Sequence, residues 1–186
     1  MRLILCSVLC LLLPVLVNGQ DQEKEILELL NAARTNPKKF IEAHALPYIQ
    51  ENGLEKNRYA KSLLQDLKET KPMGALKVAP ALTDVARYHA KDMGTTGGIG
   101  HASTDGTPFS VRVRSQSKAQ GMIAENCAYG QTNALDFVMQ LLIDDGIESL
   151  GHRKNVLEAK YQWVGIAIEP HKTYRTNCVM DFAERF

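Results

Sequence analysis

Several signatures that would assign a chemistry at once are missing from this chain of 186 residues. It contains no His-Glu-x-x-His, no Cys-x-x-Cys and no Gly-x-Ser-x-Gly, so the local signatures of a zincin, a dithiol site and a nucleophile elbow are absent. Gly146 and Gly151 have the spacing of a phosphate loop, but His152 and Arg153 stand where its lysine and hydroxyl belong. Ser103 and Ser149 have no evident base and orienting partner, which leaves nucleophilic catalysis without support. There is no Asn-x-Ser/Thr sequon, so N-glycosylation is not expected.

Net charge is also lacking. The formal charge is +1. Loss of Arg2 with a leader would leave 21 Lys and Arg against 21 Asp and Glu. A neutral domain does not carry the electrostatic footprint of a nucleic-acid binder. The local basic cluster Arg112, Arg114 and Lys118 reads as an ordinary solvated segment.

No apolar run reaches the ~20 residues that span a bilayer. Met1-Arg2 followed by the apolar stretch Leu3 to Val17 and by Val17-Asn18-Gly19 instead reads as a signal peptide over residues 1–19. The mature chain, 20–186, is then secreted, has no transmembrane segment, and is long enough for one domain with a sizeable core. Cys6 and Cys10 leave with the leader. Cys127 and Cys178 remain, either as a disulfide in an oxidising compartment or as two buried thiols on neighbouring strands.

What is present is a mixed pattern. Ile26, Leu29, Leu30, Ala33, Phe40 and Ile41 recur at helical spacing from Glu23 to about His44, with an interruption expected at Asn36-Pro37. Residues 47–72 read as a helical excursion, with Tyr59, Leu63, Leu64 and Leu67 on one face. Leu82, Val85, Ala86, His89, Ala90 and Met93 form the stripe of a helix expected to end at Gly94. Met122 to Tyr129 reads as a strand. The next helix, capped by Thr132 or Asn133, is expected to stop at Asp145-Gly146. Val164 to Ile168 and Asn177 to Phe182 read as a hairpin. Few strands among flanking helices indicate a layered α/β or α+β domain.

Four segments are dense in chemistry-bearing residues: Gly100 to Gly106, Ala124 to Gly130, Leu142 to Gly146 and Gly151 to Leu157. They bring His101, Glu125, Asp144, Asp145 and His152 into consideration. Imidazoles with carboxylates form a ligand set for zinc or another divalent ion, and equally a general acid–base set. They are also what hydrogen-bonded loop histidines look like. His89, on an apolar stripe, reads as a partly buried, satisfied residue.

The order of motifs carries a resemblance. Asn31-x-x-Arg34-x-Asn36-Pro37 is followed by Leu82…Ala86-x-x-His89-Ala90-x-Asp92-Met93 and by Gly100-His101-x-Ser103. Ala124-Glu125-Asn126, Gly151-His152-Arg153-Lys154-Asn155 and Val164-Gly165-Ile166-Ala167 complete it. This succession resembles the CAP superfamily of cysteine-rich secretory, antigen 5 and pathogenesis-related 1 proteins, in its compact bacterial and protist form.

The resemblance implies an α-β-α sandwich with a small central antiparallel sheet, and a cavity lined by two histidines and two acids. His101, Glu125 and His152 match three of those positions, and Asp144 or Asp145 stands near the fourth. It implies a secreted, non-enzymatic binding or defence-type module for a lipid, sterol or extracellular protein. Its cleft would accept a divalent metal, zinc or magnesium. The alternative is a metal-dependent, peptidase-like hydrolase using Glu125 and His152. A third reading is an interaction protein that uses the 47–72 excursion.

Overall fold

The structure, a computed structural model, describes residues 19–186. The leader expected over residues 1–19 lies outside the described residues except for Gly19. Among the described residues no helix is long and apolar enough to cross a membrane.

Local signals set most elements. Helix α1 (Gly19–Thr35) buries Ile26, Leu29, Leu30 and Ala33. It ends where Asn36 leaves helical geometry and Pro37 opens α2 (Pro37–Phe40). The Asn36 side chain accepts from Lys39 N at 3.2 Å, an N-cap that Pro37 at the first position complements. A π-helical turn at Ile41–Ala45 leads into α3 (Leu46–Glu51). Asn57 caps α4 (Arg58–Glu69) by accepting from Tyr59 N and Ala60 N. Tyr59, Leu63 and Leu67 of α4 lie in the same core cluster as α1.

Strand β1 (Lys77–Val78) precedes α5 (Pro80–Thr96), which is followed by α6 (Phe109–Ser117) and β2 (Gln120–Tyr129). Helices α7 (Ala134–Ile143) and α8 (Gly151–Val156) lead to β3 (Trp163–His171) and β4 (Arg175–Arg185). The sheet order is β1-β3-β4-β2, with β1 parallel to β3 and the other pairs antiparallel. The expected hairpin pairs Val164 with Phe182 and Ile168 with Cys178.

Alternation along the strands sorts side chains into two layers. Ala124, Ala128, Cys178, Met180 and Phe182 face a core shared with α1, α4 and α7. Cys127, Val179 and Ala167 face α5, where they meet Ala86 and Ala90. The result is an α-β-α sandwich, the architecture that the motif order implies.

Three expectations are corrected. Helix α5 does not stop at Gly94 but runs on to Gly97, which takes φ 82. Gly94 serves close approach, since a Cβ there would lie 2.1 Å from Pro170 O. Helix α7 stops one residue early, at Asp144 with φ 57, rather than at Asp145-Gly146.

The disulfide candidate also fails. Cys127 and Cys178 are both free and buried. Cys127 pairs with Val179 and Ala128 pairs with Cys178, so the two cysteines are offset by one residue. One-residue offsets point side chains to opposite faces of a sheet, so the thiols sit in different cores and the strands lie between them.

Two buried arginines tie loops to this frame. Arg34 donates to Gly74 O, Val156 O, Glu158 O and Tyr161 O. Arg153 donates to Leu142 O, Ile143 O, Tyr59 O, Ser62 Oγ and Asp66 Oδ2. Glu148 meets Arg58 instead.

Candidate functional site

Two carboxylate-held imidazoles line one cleft. His101, on the loop after α5, shares Nδ1 with Glu125 Oε1 at 2.9 Å. His152, in the first turn of α8, shares Nδ1 with Asp144 Oδ1 at 2.7 Å. The second Asp144 oxygen accepts from His152 N at 3.0 Å and Arg153 N at 3.4 Å, so one carboxylate caps α8 and aims its histidine. Asn126 donates to His152 O and accepts from Asn155 Nδ2, which locks the strand next to Glu125 onto α8.

Both imidazoles line a cleft of about 600 Å³. Its walls include Tyr48, Leu54, Ile99, Leu141, Ile143 and Ile147. Asp145 also reaches this lining, but its carboxylate accepts from Asn57 Nδ2 rather than from a histidine. Asp144 is therefore the acid that pairs with His152, and Asp145 is a rim residue.

Behind His101 lies a buried polar cluster. Arg112 is 1% exposed, which overturns its reading as part of a solvated basic segment. It forms an ion pair with Glu125 Oε2 and donates to His101 O and Ser103 Oγ, both at 3.0 Å. A helical signal was present: Phe109, Arg112 and Val113 fall on one face at i, i+3 and i+4, and Val113 is fully buried.

His89 is fully buried, with Nε2 2.9 Å from Gly100 O and 3.8 Å from Glu125 Oε1. It is not fully satisfied, since its Nδ1 has no partner among the described residues. Neither has Asp181, opposite Glu125 on β4, for either carboxylate oxygen. Composition alone offered no signal for Asp181, because only strand register brings it there.

Electrostatics differ sharply within this cluster. Burial pushes the Glu125 carboxyl up, but the His101 hydrogen bond and the charges of His89 and Arg112 outweigh it and hold it below its ordinary value. Burial drives His89 the other way, below the usual imidazole range, against the pull of Glu125. Asp181 is pushed well above the carboxylate range by burial and by the Glu125 charge. Cys127 lines the cleft, and burial holds its thiol well above its ordinary value. One ring nitrogen of His89, a Glu125 oxygen and Cys127 Sγ lie within 4.8 Å of one another, a group that could hold a metal ion.

Residues 27–182 match the family described as CAP, the cysteine-rich secretory protein family. The chain belongs to the CAP family. No curated protein matches this CAP chain in a sequence comparison. Its fold is similar to an extracellular protein containing an SCP domain from Bacillus anthracis, at 19% identity and TM-score 0.52, over 72% of this chain and 41% of that one. It is also similar to an outer surface protein from Borrelia burgdorferi, at 18% identity and TM-score 0.52, over 74% and 96% of the two chains. A cysteine-rich secretory protein from Staphylococcus aureus matches at 15% identity and TM-score 0.51, over 91% of this chain and 41% of that one. The CAP chain thus matches about two-fifths of the Bacillus and Staphylococcus chains. These three are described as extracellular, outer-surface and secretory proteins.

Proposed function

We propose that this CAP chain is a secreted, non-enzymatic binding module whose cleft takes an amphipathic ligand, a lipid or sterol. The observation that carries the reading is the cleft's composition. Leu54, Ile99, Leu141, Ile143 and Ile147 provide apolar walls, and His101 and His152 place two oriented imidazoles among them. A ligand with an apolar body and one polar end matches that arrangement. Ser103, the serine of the resembling motif, is buried and held by Arg112, which leaves it poorly placed as a nucleophile.

The histidines fit a divalent metal. A carboxylate on Nδ1 places the ring proton there and leaves Nε2 as the donor atom, the usual support of a ligating histidine. Neither Nε2 has a protein partner among the described residues. Imidazole donors favour zinc over magnesium, which prefers oxygen. When bound by His101 and His152, zinc would supply Lewis acidity for the polar end of a ligand. Glu125 and Asp144 keep the rings aimed. The same two rings give a metal-dependent hydrolase its strongest support, so turnover is part of the test.

Fluorescent fatty-acid and sterol binding by wild type, Ile147→Asp and His152→Ala tests the reading. Ile147→Asp is expected to weaken apolar-ligand binding at least tenfold, since a bound apolar ligand would cover this exposed position and desolvate the charge. Calorimetry is expected to show zinc binding that His152→Ala abolishes. Peptide and ester hydrolysis with zinc should stay at the His152→Ala background. Zinc-dependent turnover lost in that variant would replace this reading with the hydrolase.

A further inference from the structure

We propose that Cys127 and His89 form a second metal site, buried behind the cleft and selective for the thiophilic monovalent ion Cu(I). The two residues come from different layers of the sandwich. Cys127 projects from β2 toward α5, and His89 projects from α5 toward β2. Cys127 also lines the cleft, with Sγ 3.8 Å from Nδ1 of the half-exposed His101. An ion arriving from solvent can therefore reach the sulfur past that ring.

The local hydrogen bonding suits ligation. Cys127 Sγ and His89 Nε2 both point at one acceptor, Gly100 O, at 3.6 and 2.9 Å. A single ion placed between sulfur and nitrogen would take over the role of that shared oxygen. His89 Nδ1, buried and without a partner among the described residues, is free to carry the ring proton when Nε2 becomes a ligand.

Charge decides which ion. Glu125 and Arg112 already neutralise each other in the buried cluster. Loading follows Cys127–SH + Cu(I) → Cys127–S–Cu(I) + H⁺. One positive charge enters as one leaves, and no electron is transferred. A divalent ion would add a positive charge beside the buried Arg112 guanidinium, where desolvation makes unpaired charge expensive. Thiolate and imidazole donors suit both Cu(I) and zinc, so the charge balance decides between them. Glu125, a hard oxygen donor, stays with Arg112 and His101. This site shares no ligand with the histidine pair of the cleft, although Cys127 touches His101.

Anaerobic Cu(I) titration against a colorimetric Cu(I) chelator tests the proposal on wild type, Cys127→Ser, His89→Gln and Cys178→Ala, which removes the thiol on the opposite face of the sheet. Wild type is expected to bind one ion at this site and to release one proton in weakly buffered solution. Cys127→Ser should lose more than about 100-fold in affinity, beyond what loss of an orienting partner costs. His89→Gln should weaken binding, and Cys178→Ala should leave it within about twofold, since loss of a non-ligand should fall short of even an orienting partner's tenfold. Equal affinity in Cys127→Ser, or an equal loss in Cys178→Ala, overturns the assignment. A second measurement uses the wild type alone and does not depend on variants folding. X-ray absorption at the copper edge of the Cu(I)-loaded wild type should show sulfur and nitrogen ligation. A first shell of nitrogen and oxygen alone counts against the site.

Discussion

Asp144 combines three functions in one side chain. It ends α7 in the left-handed region, caps α8, and holds the His152 ring. Asp tolerates that conformation better than most residues because its short polar chain bonds locally. Asp144→Ala is expected to cost about 1–3 kcal/mol through the lost cap and the unpaired donors it leaves. Asp144→Asn keeps an acceptor oxygen and the backbone preference, so it should cost less. Urea unfolding midpoints compare the two. A larger loss in Asp144→Asn than in Asp144→Ala would show that neither cap nor conformation matters here.

Asp181 behaves in the opposite way. Its folded-state carboxyl stays protonated far above the ordinary range, because burial and the Glu125 charge disfavour its ionised form. In the unfolded chain it ionises near ~3.9. Its favourable contribution is therefore complete below that pH and declines as pH rises toward the folded value. Asp181→Asn removes this ionisation. It is expected to raise the melting temperature at pH 7, with the gain shrinking below pH 4. A lower melting temperature at pH 7 would show that the protonated acid makes an interaction that the amide cannot replace.

At the scale of elements, α5 and β3 approach each other closely. Small side chains, Ala86, Ala90 and Ala167, occupy the interface. Gly165 brings the backbones together, and a Cβ there would lie 2.1 Å from the Leu82 carbonyl carbon and 2.3 Å from Thr83 N. Overpacking usually costs ~1–3 kcal/mol when side chains can move aside. Here the obstruction is helix backbone, so Gly165→Ala is expected to reach or exceed the upper end of that range. Soluble yield and the thermal midpoint check it. A shift under about 2 °C, equivalent to less than about 1 kcal/mol, would mean that α5 can lift from the sheet freely. This contact matters to the site because α5 carries His89 and the loop that presents His101.

Across the whole molecule, acid should unfold the protein through the cluster behind the cleft. Glu125 and His89 both have folded values below their ordinary ones. For each, the unfolded state binds protons first as pH falls, so the stabilising contribution is present above the unfolded value and is lost through the folded one. His89 acts from about pH 6.5 downward and Glu125 from about 4.3 downward. The urea midpoint is therefore expected to fall between pH 7 and pH 5. In His89→Gln that slope should flatten, while the fall below pH 4.5 should persist. An unchanged slope between pH 7 and pH 5 in the variant would assign the acid sensitivity to other groups.

The sequence by itself determined the features with local causes. Asn36-Pro37 breaks the first helix because proline and its preceding residue are restricted without help from elsewhere. Asn133 caps α7 by accepting from Asp136 N, and the Val- and Ile-rich run at Val164 forms the hairpin. Motif order carried the family and brought His101, Glu125 and His152 forward as candidate cleft residues. Tertiary structure decided everything that depends on which way a side chain points across an interface. Strand register put Cys127 and Cys178 on opposite faces and so forbade their bond. It also brought Asp181 beside Glu125. Arg112 became a buried partner because α6 lies against β2, and Asp144 rather than Asp145 met His152 because α7 ended one residue early. Such choices turn on a single residue of offset. In a strand that offset reverses the face, and at a helix end it rotates the side chain by about 100°.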